Sequence, residues 1–356
     1  MVQLMLVVTS LLLCLLAPSR ASPVSFQQYL EEEEVEEQWK PVYQLSRQWQ
    51  AWKSEHTRSY ISDNEELERH LIWISNMKYI EGHNANENMF GYRLSMNQYG
   101  DMTDIEYKTK ILTYRKTNTS SGGSGGPKVT PYVPDPHLSL PEALDWRSRG
   151  AVSAVKDQGS CGASYAFSTT GSIEGAVALG YGRLVSLSEQ NIIDCSVPLG
   201  NNGCNGGNMY NSFMYIIDNG GIDTSYAYPY QGSQTGCSFD RYAVGADITG
   251  IISIREGSEY HLQTALASAG PISIAVDAST NSFRFYDGGV FDSFRCSSTD
   301  VNHAMTLIGY GTYNGKEHWM VKNSWGTSWG VDGYIMMTRN YYNQCGIASD
   351  ASYPSL

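Results

Sequence analysis

The chain has 356 residues, with 36 acidic against 24 basic side chains and a formal charge of −12 at pH 7. That balance excludes nucleic acid as a partner. Of seven cysteines, Cys14 stands apart, and the even six from Cys161 onward point to an oxidising compartment and three disulfides.

Residues 1–17, "MVQLMLVVTSLLLCLLA", are almost wholly apolar and lead into Ser19, Arg20 and Ala21. The run is short for a membrane span and ends in small residues, so a secretory signal peptide is expected over 1–21, with no membrane anchor once it is cleaved. Residues 22–139 carry no cysteine. They are charge-rich, include "EEEEVEE" at 31–37, show helical periods, and end in a Gly, Ser and Pro rich linker at 116–139 whose sequon begins at Asn118. From Leu140 to Leu356 a third part holds all six remaining cysteines. Counting alone permits 15 pairings of six cysteines, and no C-x-x-C pair suggests zinc. No metal or cofactor is called for.

Within 140–356 a helical half precedes a β half. Ser164 opens a segment with Phe167, Ile173 and Val177 at helical spacing, expected to stop at Gly180. "SLSE" at 186–189 has the capping-box pattern, and Phe213, Ile216 and Ile217 run up to a stop at Gly220 and Gly221. Further on, Ile272, Ile274 and Val276 alternate with smaller residues, and "HAMTLIGYG", "HWMVKNSW" and "GYIMMT" are strand-like runs split by glycines. A site between two such halves draws on both.

The motif "CGASYAF" at 161–167 fits the papain and cathepsin signature Cys-Gly-[Ser/Ala]-Cys-[Trp/Tyr] except at its fourth position, where Ser164 replaces the nucleophilic cysteine. Downstream stand His303 in "VNHAM" and Asn323 in "KNSWG"; upstream, Glu65, Arg69, Trp73, Asn76, Ile80, Asn84 and "MNQYGDMT" at 96–103 resemble the pro-segment of cathepsin L-type zymogens. From about residue 45 to Leu356 the chain is similar to this family. The resemblance implies an α+β, papain-like two-domain fold, a helical left half and a β-barrel-like right half, with a helical pro-segment. It also implies Gln158 and the Ser164 N–H as oxyanion donors, Trp325 as a shield over His303 and Asn323, and a substrate pocket with Met209, Asp350 and Ala304. The disulfides it implies are Cys161 to Cys204, Cys195 to Cys237 and Cys296 to Cys345.

The serine changes the chemistry. A papain-like thiol is acidified by the imidazole and a helix N-terminus into a thiolate and imidazolium pair, whereas a hydroxyl must lose its proton to His303 during attack. The shorter C–O bond also draws the nucleophile back, so efficient peptide cleavage is not expected. Silicon, oxophilic and able to take a fifth ligand, suits an oxygen nucleophile. The silicateins of sponge spicules are papain-like proteins with this replacement, and "CGASYAFS", "CSSTDVNHAM" at 296–305 and "CGIASDASYPSL" at the C-terminus resemble them. That resemblance implies silicic acid or silicon alkoxides as substrates, and self-association into the axial filament of a spicule, for which 25 tyrosines supply contact residues.

Two other readings fit the same residues: a catalytically inactive cathepsin homologue kept for binding or assembly, and a cysteine protease altered at one residue. Against the latter, Ala163, Tyr165 and Asn302 also depart from the usual cathepsin L text. Of the other histidines after residue 140, His261 reads as a surface residue on a helix and His318 as a packed strand residue. A carboxylate at Asp350, near the pocket floor, is expected to disfavour apolar ligands.

Overall fold

Short β-branched runs separated by glycines leave the second half of the chain no route but pairing, and the computed structural model, which describes residues 44–116 and 129–356, shows the resulting sheet. The signal peptide, the acidic run at 31–37 and the sequon at Asn118 lie outside the described residues. Among the described residues the sheet has ten strands. His303–Tyr313 lies near its middle, antiparallel to Lys316–Lys322 on one side and to Ile272–Val276 on the other. Tyr334–Thr338 pairs with Lys316–Lys322, and Ala351–Ser355 pairs with Ile272–Val276. The strand Ile272–Val276 is buried on both faces rather than alternately exposed, because Ser273 and Ala275 meet the central helix; Ser273 Oγ donates to Ser168 O at 2.8 Å.

That central helix, Ser164–Tyr181, is buried over its first three turns, polar residues included. Its hydroxyls have partners: Ser168 Oγ donates to Met305 O at 2.6 Å and Ser172 Oγ to Pro271 O at 2.9 Å. The helix passes the expected stop at Gly180 and ends at Gly182, whose φ of 69° closes it. Gly180 is instead a packing glycine, since a Cβ there would stand 2.8 Å from Leu356 Cδ1. The expected capping box is also displaced. Ser188, not Ser186, caps the helix Glu189–Cys195 by accepting from Asn191 N at 2.9 Å, because Glu189 is drawn into a buried ion pair with Lys156 at 2.6 Å. Met209–Asn219 completes the helical half and closes on Gly220. One apolar cluster fills this half, around Ile173, Ile192, Phe213 and Ile216. Another lies in the sheet half around Leu266, Ile274, Leu307 and Trp319.

The described residues up to Tyr60 and those of Ile61–Leu356 form two compact units. In the first unit Trp49 stacks on Trp52 and Tyr60, with ring centres 5.2 and 5.9 Å apart. In the second, the helix Asp63–Asn84 presents Arg69, Trp73, Asn76, Ile80 and Asn84 along one side. Arg69 makes a two-pronged pair with Glu106 at 2.7 and 2.8 Å, and Asn76 Nδ2 donates to Gly100 O at 2.8 Å. Residues ahead of Leu140 also extend both edges of the sheet: Tyr92–Leu94 pairs antiparallel with Tyr286–Phe291, and Val129–Pro131 pairs parallel with Gly250–Ser253.

Candidate active site

The first residue of an α-helix has an N–H without an intrahelical partner and sits at the positive end of the helix dipole. Ser164 holds that position, at the junction of the helical half with the His303 strand. It is fully buried, and its Oγ accepts from Ala304 N at 3.2 Å. The loop that leads into it is fixed by the Cys161–Cys204 disulfide and by Gly162 N donating to Cys204 O at 2.9 Å. Cys195–Cys237 and Cys296–Cys345 are the other two pairs.

His303 Nε2 lies 2.8 Å from Asn323 Oδ1, which as an amide oxygen can only accept, so the proton is on Nε2 and Nδ1 carries the lone pair. Nδ1 is buried and has no hydrogen-bond partner, so Ser164 and His303 are adjacent through Ala304 but not bonded. Burial pushes the imidazole down to about 4, against the opposing pull of the Asn323 bond. Trp325 covers the ring, with centres 4.6 Å apart. Gln158 Nε2 donates to Cys161 O at 2.8 Å, while its Oε1 accepts from Ser324 Oγ at 2.7 Å. Gln158 is thus held by Ser324 with its amide turned to the Cys161 carbonyl. Met209 and Ala304 are buried in one apolar cluster, and Asp350 stands at its margin with a carboxyl that burial pushes up. His261 lies on a helix with Nδ1 2.7 Å from Ser258 Oγ, and His318 is buried in a strand.

The folded imidazole sits below the ordinary 6.5, so its neutral form is the stable one and its contribution is complete above pH 6.5 and lost as pH falls towards 4. Unfolding of the full chain at pH 7 and pH 4 should therefore show an acid loss that His303→Gln reduces by roughly 3 kcal/mol. An unchanged acid loss in the variant would remove His303 from the account.

Three features at the cleft have no local sequence signal. The pro-segment enters it: Thr113 Oγ1 donates to Gly162 O at 2.7 Å, and Tyr99 and Tyr107 pack edge-on against Trp325 at 5.2 and 6.0 Å. Gly206, with φ 109°, is obligatory there, because a Cβ would strike the Thr113 carbonyl. Ser324 holds Gln158. Behind Asn323 the buried Glu174, Glu189 and Lys322 cluster with the half-buried Lys156 and line a small cavity with it.

Comparison with known proteins agrees with this geometry. Residues 140–355 match the papain family cysteine protease pattern, and residues 49–107 match the cathepsin propeptide inhibitor domain (I29). The chain belongs to the papain family, in its cathepsin L-like branch with an inhibitory pro-segment. A silicatein of Petrosia ficiformis is 48% identical over 317 residues, which are 87% of this chain and 94% of that protein. Cathepsin L of Sarcophaga peregrina is 44% identical over 320 residues, 89% of this chain and 94% of that one. The digestive procathepsin L 3 of Tenebrio molitor larval midgut matches with a TM-score of 0.81 at 43% identity, covering 88% of this chain and 99% of that structure. The scaffold is that of a hydrolase made as a zymogen, and its pro-segment and disulfides mark a protein of the secretory or lysosomal pathway. No described helix is long and apolar enough to cross a membrane.

Proposed function

We propose that this is a silicatein-like enzyme that hydrolyses and condenses silicic acid or silicon alkoxides to silica, with Ser164 as nucleophile and His303 as base. The observation that carries the reading is a neutral imidazole with an unbonded Nδ1 lone pair beside a serine, in a cleft of the papain family cysteine protease pattern. A neutral base is what a hydroxyl nucleophile requires, whereas a thiol in the same place would pass its proton to this imidazole at rest. Hydrogen bonds that are open in a resting site commonly close only around substrate.

In the proposed reaction the Ser164 oxygen bonds to silicon while His303 Nδ1 takes its proton. The five-coordinate centre carries negative charge towards the Ser164 N–H and the positive helix end, joined by Gln158 Nε2 when it leaves the Cys161 carbonyl. The Si–O bond to the leaving alcohol breaks as His303 returns the proton. Water repeats the sequence in reverse and releases a silanol and free Ser164. Two silanols then condense to a siloxane and water. Asn323 orients the ring throughout, without the charge of an aspartate. Exposed Tyr226, Tyr242 and Tyr342 support self-association into a spicule filament, and the apolar leader supports secretion to it.

The test is turnover of tetraethoxysilane by the processed protein. Ser164→Ala and His303→Ala should each lose about 100-fold or more. Equal turnover by all three proteins would sink the enzyme reading and leave a binding or structural homologue, which the hold of Ala304 N on the Ser164 oxygen would then suit.

A further inference from the structure

Both ends of the large sheet are made by residues ahead of Leu140. Among the described residues its strand order opens on Tyr92–Leu94 and closes on Val129–Pro131, and every strand between them on that path follows Leu140. Tyr92–Leu94 covers the edge Tyr286–Phe291, with Arg93 Nε 2.6 Å from Asp287 Oδ2 and the Tyr92 ring centre 5.0 Å from that of Phe291. Val129–Pro131 covers the edge Gly250–Ser253; beside it Tyr132 N donates to Ser253 O at 2.8 Å, and its ring centre lies 6.4 Å from that of Tyr353.

An uncovered strand edge presents unpaired N–H and C=O groups, a template for another chain, so free edges are commonly guarded by lysine or proline. Neither of these edges carries such a residue. "GIIS" at 250–253 has no charge at all, and "YDGGVF" at 286–291 has one acid, Asp287, at a one-residue slip of register beside two glycines. When the pro-segment leaves, Asp287 loses Arg93, Phe291 loses Tyr92 and Tyr353 loses Tyr132. The two bared edges are unlike, and their charges are complementary: Asp287 lies on one, and the exposed Arg255 follows two residues after the other. Pairing an edge with its own kind would bring acid towards acid, or base towards base.

We propose that the processed chain joins further copies of itself head to tail, the Tyr286–Phe291 edge of one copy pairing with the Gly250–Ser253 edge of the next, and that the pro-segment caps both edges in the precursor. The proposal rests on the self-association read above and names its surfaces. A contact between unlike surfaces leaves one of each kind free at the two ends, so growth continues unless a ring closes.

For the test the full chain is folded with a specific protease site set into the mostly exposed stretch 133–137, cut there and freed of its pro-segment. Size is read by sedimentation velocity. The uncut chain should be monomeric and the processed chain should form a concentration-dependent series of oligomers. Ile252→Lys guards one edge and Gly288→Lys the other, where a Cβ would meet nothing nearer than the Arg93 side chain at 3.7 Å. Each processed variant alone should stay monomeric. The two mixed should give a dimer and nothing larger, because the mixture offers one usable junction. A peptide of residues 128–133, "KVTPYV", should cap the Gly250–Ser253 edge and shorten the wild-type oligomers, which keeps the test decisive where a lysine variant folds poorly. Oligomers unchanged by the lysines and by the peptide, or an uncut chain that assembles like the processed one, would overturn the edge pairing and leave self-association standing. A processed wild type that stays monomeric would overturn both, while silane turnover reports separately on Ser164 and His303.

Discussion

Replacing Ser164 by cysteine should turn the processed protein into a peptidase, with kcat/KM on a fluorogenic dipeptide rising by about two to three orders of magnitude. The helix end, the base and its orienting amide are in place for such chemistry. The residue opens an 18-residue helix, so a thiolate there is stabilised by the helix end. His303 Nδ1 has no competing partner, and Asn323 and Trp325 hold and cover the ring. The longer C–S bond also advances the nucleophile towards a substrate carbonyl. The same exchange should lower silane turnover, because sulfur bonds silicon weakly compared with oxygen. Cysteine that reacts with a thiol reagent yet cleaves no peptide would move the block from the nucleophile to the pocket or to Gln158, whose amide is turned to the Cys161 carbonyl.

Ser164, His303 and Asn323 were picked out together by the resemblance of "CGASYAF", "VNHAM" and "KNSWG" to the papain and cathepsin signature, not by any local pattern of their own. The division into a helical and a β half needs no such resemblance, since it follows from the change of period between Ile217 and Ile272. What was not legible depends on partners far apart in sequence. Nothing near Lys156 tells a solvated lysine from one that sits between Glu174 and Glu189. Nothing near Glu189 tells a cap partner from a buried ion, and so Ser186 was preferred to Ser188. The alternation at Ile272–Val276 shows a strand but not its burial on both faces, which comes from a second buried layer, the Ser164 helix, on its other side. Tyr114, whose phenol donates to Asp350 Oδ2 at 2.5 Å, is 236 residues from it, and no periodicity links them.

That buried cluster sets the second large expectation: Lys156→Met should lower the stability of the full chain by about 3–5 kcal/mol at pH 7, the usual result of leaving a buried charge without its partner. Lys156 Nζ lies 2.8 Å from Glu174 and 2.6 Å from Glu189, both almost wholly buried, and also donates to Leu187 O at 3.1 Å. Burial disfavours its charge, but the two carboxylates outweigh that and raise it above the ordinary lysine range. Lys322, pushed down by burial to about 8, donates to Ser153 Oγ at 2.9 Å and supplies the second positive charge. Without Lys156 one cation faces two carboxylates, so at least one of them is raised by burial and takes up a proton more readily folded than unfolded. Such a group contributes stability at low pH that is lost as pH rises through its folded value. The gap between wild type and Lys156→Met should therefore narrow as pH falls from 7 towards 4. Adding Glu189→Gln should recover much of the loss at pH 7, because it restores neutrality and leaves an amide able to bond Thr170. Denaturation midpoints of the three proteins at the two pH values measure this. A loss that is unchanged by pH and not relieved by Glu189→Gln would mean that lysine packing, not charge, holds the cluster.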